Sequence, residues 1–190
     1  MRKLLVFIVV IVLMFVGCDG RSKAHKSNQE VLKEHNLYKS FSENVKFIPE
    51  SYSETTIDTL LGNGYSVKIK TYTDMDVSFL SEFSKDTIQH KNYYRDIKSV
   101  INISKNNSNI ASKLITKDFF SEYNATISND IRNKIIQGIW LNQYASLIKN
   151  KVVFNVVFST PNSKDNSCYT LTFFDNGDYL IENELEPNIV

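Results

Sequence analysis

A chain of 190 residues, 42% of them hydrophobic, can fill one core and is of a length that suits one domain. Its 22 Lys+Arg stand against 21 Asp+Glu, so no basic excess marks it for nucleic acid or for an anionic membrane surface. Cys18 and Cys168 are the only cysteines, too few for the disulfide framework that staples small secreted domains.

The first segment, MRKLLVFIVVIVLMFVGC, opens on Arg2 and Lys3 and continues through thirteen uncharged apolar residues, Leu4 to Val16. A charged start, a short apolar middle and a small residue before a polar chain are the layout of an export signal. The apolar run is shorter than the ~20 residues a membrane-spanning helix needs, which disfavours an uncleaved anchor. Phe15-Val16-Gly17-Cys18 resembles the lipobox of bacterial lipoproteins, with Phe where Leu is preferred. The resemblance implies cleavage after Gly17, so that residues 1–17 are a signal peptide, and a lipid on Cys18. The alternative is an ordinary secretory signal in which Cys18 is incidental. Each buried methylene of a lipid chain contributes ~0.8 kcal/mol; one chain anchors only marginally, and two or more give stable attachment. Arg2 and Lys3 leave with the signal, so the mature chain carries 20 Lys+Arg against 21 Asp+Glu. With Cys18 lipidated, Cys168 has no partner, and a lone cysteine opening an apolar strand is usually a small buried hydrophobe.

Residues 18–44 read as a polar tether. Inside it, Ser27 and Glu30 have capping-box spacing ahead of Val31, Leu32, His35 and Tyr38, which suggests one short helix. From residue 45 the pattern turns to strands, and 45–186 is expected to form a single β-rich domain with 187–190 as a tail. Val45–Ile48 ends at Pro49. Thr56–Leu61 meets the turn Gly62-Asn63-Gly64, and beyond it Tyr65, Val67, Ile69 and Thr71 alternate with polar residues, as in a half-buried antiparallel strand. Asp74–Tyr94 shows no period and reads as a long loop or irregular helix. Ile97–Lys105 and Ile110–Ile115 are strands around Asn106-Asn107-Ser108, and Thr116 is placed to cap a helix carrying Phe119, Phe120 and Tyr123. In 127–144 the isoleucines at spacing four argue for helix and the run around Gly138 for strand; a helical turn near Asp130–Lys134 followed by a strand from Ile135 to Tyr144 reconciles them. Lys151–Ser159, Cys168–Phe174 and Tyr179–Glu182 complete a meander, with Asn176-Gly177 suited to a type I′ turn. Seven or eight strands with one or two short helices define a mainly β fold, an antiparallel sandwich or open barrel.

Several phrases together resemble an uncharacterised family of small lipoproteins from Bacteroidetes, a domain of unknown function. They are Asp58-Thr59-Leu60, Ile115-Thr116-Lys117-Asp118-Phe119-Phe120, Ile136-Gln137-Gly138-Ile139, and Val156–Pro161 leading to Phe173–Asp178. The resemblance spans about residues 55–184 plus the lipobox. It implies a lipid-anchored β domain and supplies no catalytic residues. In such a source Thr59 and Thr87, each after Asp and before an aliphatic residue, look like O-glycosylation positions. The single acidic residue Asp19 ahead of Arg21 and Lys23 leans towards the periplasmic face, with the outer membrane favoured.

Motifs for chemistry are missing. His25, His35 and His90 lack metal-ligand spacing, no G-x-S-x-G, P-loop or H-E-x-x-H occurs, and Asp175-Asn176-Gly177-Asp178 lacks the length and distal Glu of a calcium loop. No metal or other cofactor is implied. Trp140 and Tyr144, with Tyr93 and Tyr94, could form a stacking platform for sugar rings, although most aromatics of a β domain belong to its core. The expected role is therefore a lipid-anchored, non-enzymatic binding or accessory domain for an envelope protein or glycan. The alternative is an envelope hydrolase or inhibitor whose site assembles from distant strands.

Overall fold

The computed structural model describes residues 26–38, 43–85 and 88–184. The described residues fall into two compact units: 26–38 and 43–44 with 83–85 and 88–90, and 45–82 with 91–184.

The first unit is small. Its helix α1 (Asn28–Glu34) carries the expected capping box, with Ser27 accepting from the Glu30 amide and Glu30 accepting from the Ser27 amide. Lys26 pairs with Glu34 at 2.8 Å, and α1 buries none of its residues. Phe83 and His90 stack at 4.8 Å.

Strands β1 (Glu43–Ile48), β2 (Glu54–Leu60), β3 (Tyr65–Lys85), β4 (Ile88–Lys105) and β5 (Ser108–Ile115) form one sheet of order β1-β4-β3-β2, with β5 also on β4. Strands β6 (Ile135–Leu141), β7 (Val152–Ser159), β8 (Asn166–Phe173) and β9 (Tyr179–Asn183) form a second, an antiparallel meander of order β6-β7-β8-β9. Two packed sheets without closure match the mainly β, sandwich-like expectation. Helices α2 (Lys117–Ser121), α3 (Ala125–Ile131) and α4 (Gln143–Lys149) complete the larger unit.

Its core follows from period-two alternation. Tyr65, Val67 and Ile69 of β3, Ile101 and Ile103 of β4, and Val152, Phe154, Val156 and Phe158 of β7 are fully or nearly fully buried. Thr116 caps α2 as expected, accepting from the Phe119 amide, and so aims Phe120 inward. The Phe120 ring meets Phe158 edge-on at 5.1 Å and lies 6.0 Å from Tyr169. Burying such a ring contributes about 1.5–3 kcal/mol. β7 is also buried on its second face, where Val153 lies under α4 and its amide donates to the Ser146 hydroxyl at 2.9 Å.

Four readings of the sequence are corrected. Asp74–Tyr94 is not a loop or irregular helix, because β3 continues to Lys85 and β4 begins at Ile88. Both sides of β3 past Asp74 are largely exposed, so no alternation marks that part of the strand. The helical turn near Asp130–Lys134 is instead a longer helix that starts earlier and ends sooner: α3 begins at Ala125, where the Asn124 side chain accepts the Ile127 amide, and stops at Ile131. The strand expected to reach Tyr144 stops at Leu141, where Asn142 caps α4 by accepting from the Ala145 amide. The turn at Asn176-Gly177 is not type I′. Only Gly177 has positive φ (85°), with Gly177 N–H donating to Phe174 O and Phe174 N–H to Asp178 O, the pattern of a type I turn closed by a left-handed glycine. Leu61–Tyr65 repeats it around Gly64 (φ 87°). Two successive positive φ values, the type I′ signature, occur at Asn106 (51°) and Asn107 (64°).

Candidate functional site

Of the residues singled out from sequence, Gly17, Cys18, His25 and Thr87 lie outside the described residues. Thr59 is half-buried on β2, paired with Val67. Among the described residues no group of His, Cys, Asp or Glu is arranged to hold a metal, and no helix is long and apolar enough to cross a membrane. Asp175 is engaged by the Tyr65 hydroxyl and by Lys105, and Asp178 by Asn176, so that turn is occupied with its own bonding. Cys168 is a free, half-buried thiol whose pKa burial pushes up. Tyr93 stacks on Phe47, and the Tyr94 hydroxyl donates to Asn162. Trp140 and Tyr144 both reach solvent, at 45% and 77% exposure. They are placed differently: Trp140 lines a groove that Tyr144 does not.

That groove, about 410 Å³, lies between β2, the edge of the first sheet, and β6, the edge of the second. Register explains its floor. Thr55 faces Thr71 and Ile57 faces Ile69 across β2–β3, so two threonines and two isoleucines share one face. Ile97 of β4 and Ile139 of β6 extend the apolar part. On β6 the pairing with β7 shifts between Ile136 and Gly138, and the bulge exposes Gln137. Gly138 is required here: a Cβ would stand 2.4 Å from Cζ3 of Trp140, so the missing side chain makes room for the indole. All nine lining residues are uncharged.

A second, smaller pocket of about 160 Å³ gathers charge, with Asp74, Asp96, Lys98 and Lys117 on its walls. Asp96 is 6% exposed, and its Oδ1 accepts the Ile97 amide at 2.9 Å and the Ile136 amide at 2.7 Å. Burial pushes its carboxyl up to about 6, against the pull of those amides and of the Lys117 ammonium. Lys117 is pushed down by its own burial and donates to Arg132 O at 2.8 Å. Asp74, 4% exposed, pairs with Lys98 at 2.8 Å and accepts the Asp76 amide, and the bond to Asp74 raises the Lys98 pKa. A carboxyl titrating near pH 6 beside a lowered lysine could move a proton. Yet Asp96 serves the fold first: it joins β4 to the edge of β6 at an amide that would otherwise be buried unpaired. The space is also below the ~300–1,000 Å³ of ordinary small-molecule sites.

A third polar group ties α3 to the β7–β8 loop. Lys134, 5% exposed, reaches Asp130 at 3.1 Å, Asp165 at 3.2 Å and Ser167 at 2.6 Å, while the Tyr169 hydroxyl donates to Asp130 at 2.6 Å. Burial raises the Tyr169 pKa, with the Asp130 bond adding to it. One ammonium is shared there by two carboxylates, and the Tyr169 hydroxyl also engages Asp130, so these groups are spent on tying the elements together.

Sequence reasoning found Trp140 but neither the groove nor Asp96. The groove depends on β2 lying beside β6, and the place of Asp96 on β4 meeting β6 at a residue forty positions away. The Gly138-Ile139-Trp140 spacing was the one available signal, since residues 138 and 140 of a strand share a face. Comparison with family models and with curated proteins finds no match for the chain.

Proposed function

We propose that the protein is a cell-envelope lipoprotein, anchored through lipid on Cys18 after cleavage at Gly17, whose β domain binds or assists a protein or glycan partner without chemistry of its own. The observation that carries this reading is the charged-apolar-small sequence ending in Gly17-Cys18. The resemblance to the Bacteroidetes lipoproteins supports it, as does the uncharged groove beside Trp140. The polar stretch up to residue 44 would give the domain reach from the bilayer, and the scarcity of acidic residues after Cys18 favours the periplasmic face of the outer membrane.

The test is detergent phase separation after expression in a bacterium that processes lipoproteins. The wild type should enter the detergent phase and Cys18→Ser the aqueous phase. Wild type recovered in the aqueous phase at its processed size would overturn the anchor.

A hydrolytic reading has one observation in its favour, the buried Asp96 with its carboxyl near 6. It requires an envelope-substrate hydrolysis that Asp96→Asn abolishes in a still-folded protein.

A further inference from the structure

Deepening that reading, and resting on it for the view that the domain binds rather than catalyses, we propose that the groove between β2 and β6 is a binding site for a neutral saccharide, with Trp140 stacking on the C–H face of one sugar ring.

Three features of the groove select this ligand. First, its plane: Trp140 is 45% exposed although an indole is costly to leave in water, and Gly138 keeps the strand surface clear beside it. Second, its polar groups are neutral ones. Thr55 and Gln137 offer an exposed hydroxyl and amide, able both to donate and to accept, as sugar hydroxyls require. Third, no lining residue is charged, so an anionic or cationic ligand would lose hydration and gain no ion pair. A volume of about 410 Å³ falls in the range of ordinary ligand pockets.

A peptide added as an extra strand fits less well. Added to the β6 edge, it would find the Ile136 amide already taken by Asp96 and the regular spacing of edge groups broken by the bulge at Gln137. The same two features that spoil a ladder leave the aromatic side chain and the amide standing clear, which a sugar ring can use.

The experiment uses the fact that Trp140 is the chain's single tryptophan, so fluorescence excited beyond the tyrosine absorption band reads this one residue. Full-length processed protein in detergent is titrated with cellohexaose, maltohexaose and chitohexaose, and in separate arms with polygalacturonate and an uncharged Val/Thr heptapeptide. The expected result is a saturable change with at least one neutral hexasaccharide. By calorimetry, affinity for that sugar should fall about tenfold or more in Trp140→Ala, and in Gly138→Ala, whose new methyl group displaces the ring while the residue itself is kept. Thr55→Val should weaken binding without altering the thermal midpoint. No saturable response to any of the three sugars, a response only to polygalacturonate or only to the peptide, or undiminished binding by Trp140→Ala would each overturn the proposal. The mass of the amino-terminal residue, read on the same sample, separates the two claims: an intact lipid without sugar binding removes the groove's assignment alone, and sugar binding with an unmodified Cys18 removes the anchor alone.

Discussion

Replacing Asp96 by Asn tests whether that carboxyl is a structural clasp held at a cost. In the folded protein its pKa is about 6, against an ordinary value of 3.8. Because the folded value is raised, the native state binds the proton more tightly than the unfolded chain does. Stability from this group is full below pH 3.8, declines as pH rises and is lost above pH 6. The difference corresponds to roughly 3 kcal/mol at neutral pH, from about 1.4 kcal/mol per tenfold change in proton affinity. Asparagine keeps an oxygen for the Ile97 and Ile136 amides and removes the charge. Urea unfolding followed by circular dichroism at pH 4, 5, 6, 7 and 8 measures the difference between wild type and variant. The variant should gain on the wild type by roughly 2–3 kcal/mol between pH 4 and pH 7, then hold steady. Asp96→Ala, which strands both amides, should be less stable than Asp96→Asn at every pH by about 1–3 kcal/mol. A wild type–Asn difference that is flat from pH 4 to pH 7, or that moves in the wild type's favour, would refute the reasoning.

Three further substitutions probe the fold directly. Gly177→Ala places a Cβ 2.8 Å from the Ile110 carbonyl oxygen at a φ of 85°, so it should cost about 1–3 kcal/mol in urea unfolding, whereas Gly62→Ala, with only a 3.6 Å contact to Leu147, should stay within about 0.5 kcal/mol of wild type. Phe120→Ala empties the space between Phe158 and Tyr169 and should cost about 3–5 kcal/mol, seen as a large fall in thermal midpoint with the sheet signal retained at low temperature.

Legibility in the sequence tracked how locally each feature is determined. The second sheet was readable because β7 and β8 are buried strands between turn residues: Val152 to Phe158 is apolar at nearly every place, and Pro161 and Gly177 bound the neighbouring loops. α2 was readable from one residue, Thr116, whose hydroxyl the helix needs. α4 was not, because its Leu147 and Ile148 face solvent and its buried residue is Ser146, the reverse of an amphipathic stripe. The outer half of β3 escaped for a related reason: exposed on both sides, it has no hydrophobic period to show. Asn176-Gly177 and Asn106-Asn107 are both acceptable type I′ pairs by residue preference, and the strand register around them decided which one adopts it. For the candidate site, an exposed Trp140 could be suspected from its place near a glycine, but its partners Thr55 and Ile57 come from a strand eighty residues earlier. Asp96 carries no local mark, since its character comes from burial against Ile136.

The proposed anchor is tested most directly at the amino terminus of the native protein. Mass spectrometry of the native amino-terminal peptide should find the chain beginning at Cys18, with a diglyceride on its sulfur and an acyl group on its amine. A chain that begins elsewhere, or a Cys18 with a free thiol, would contradict it.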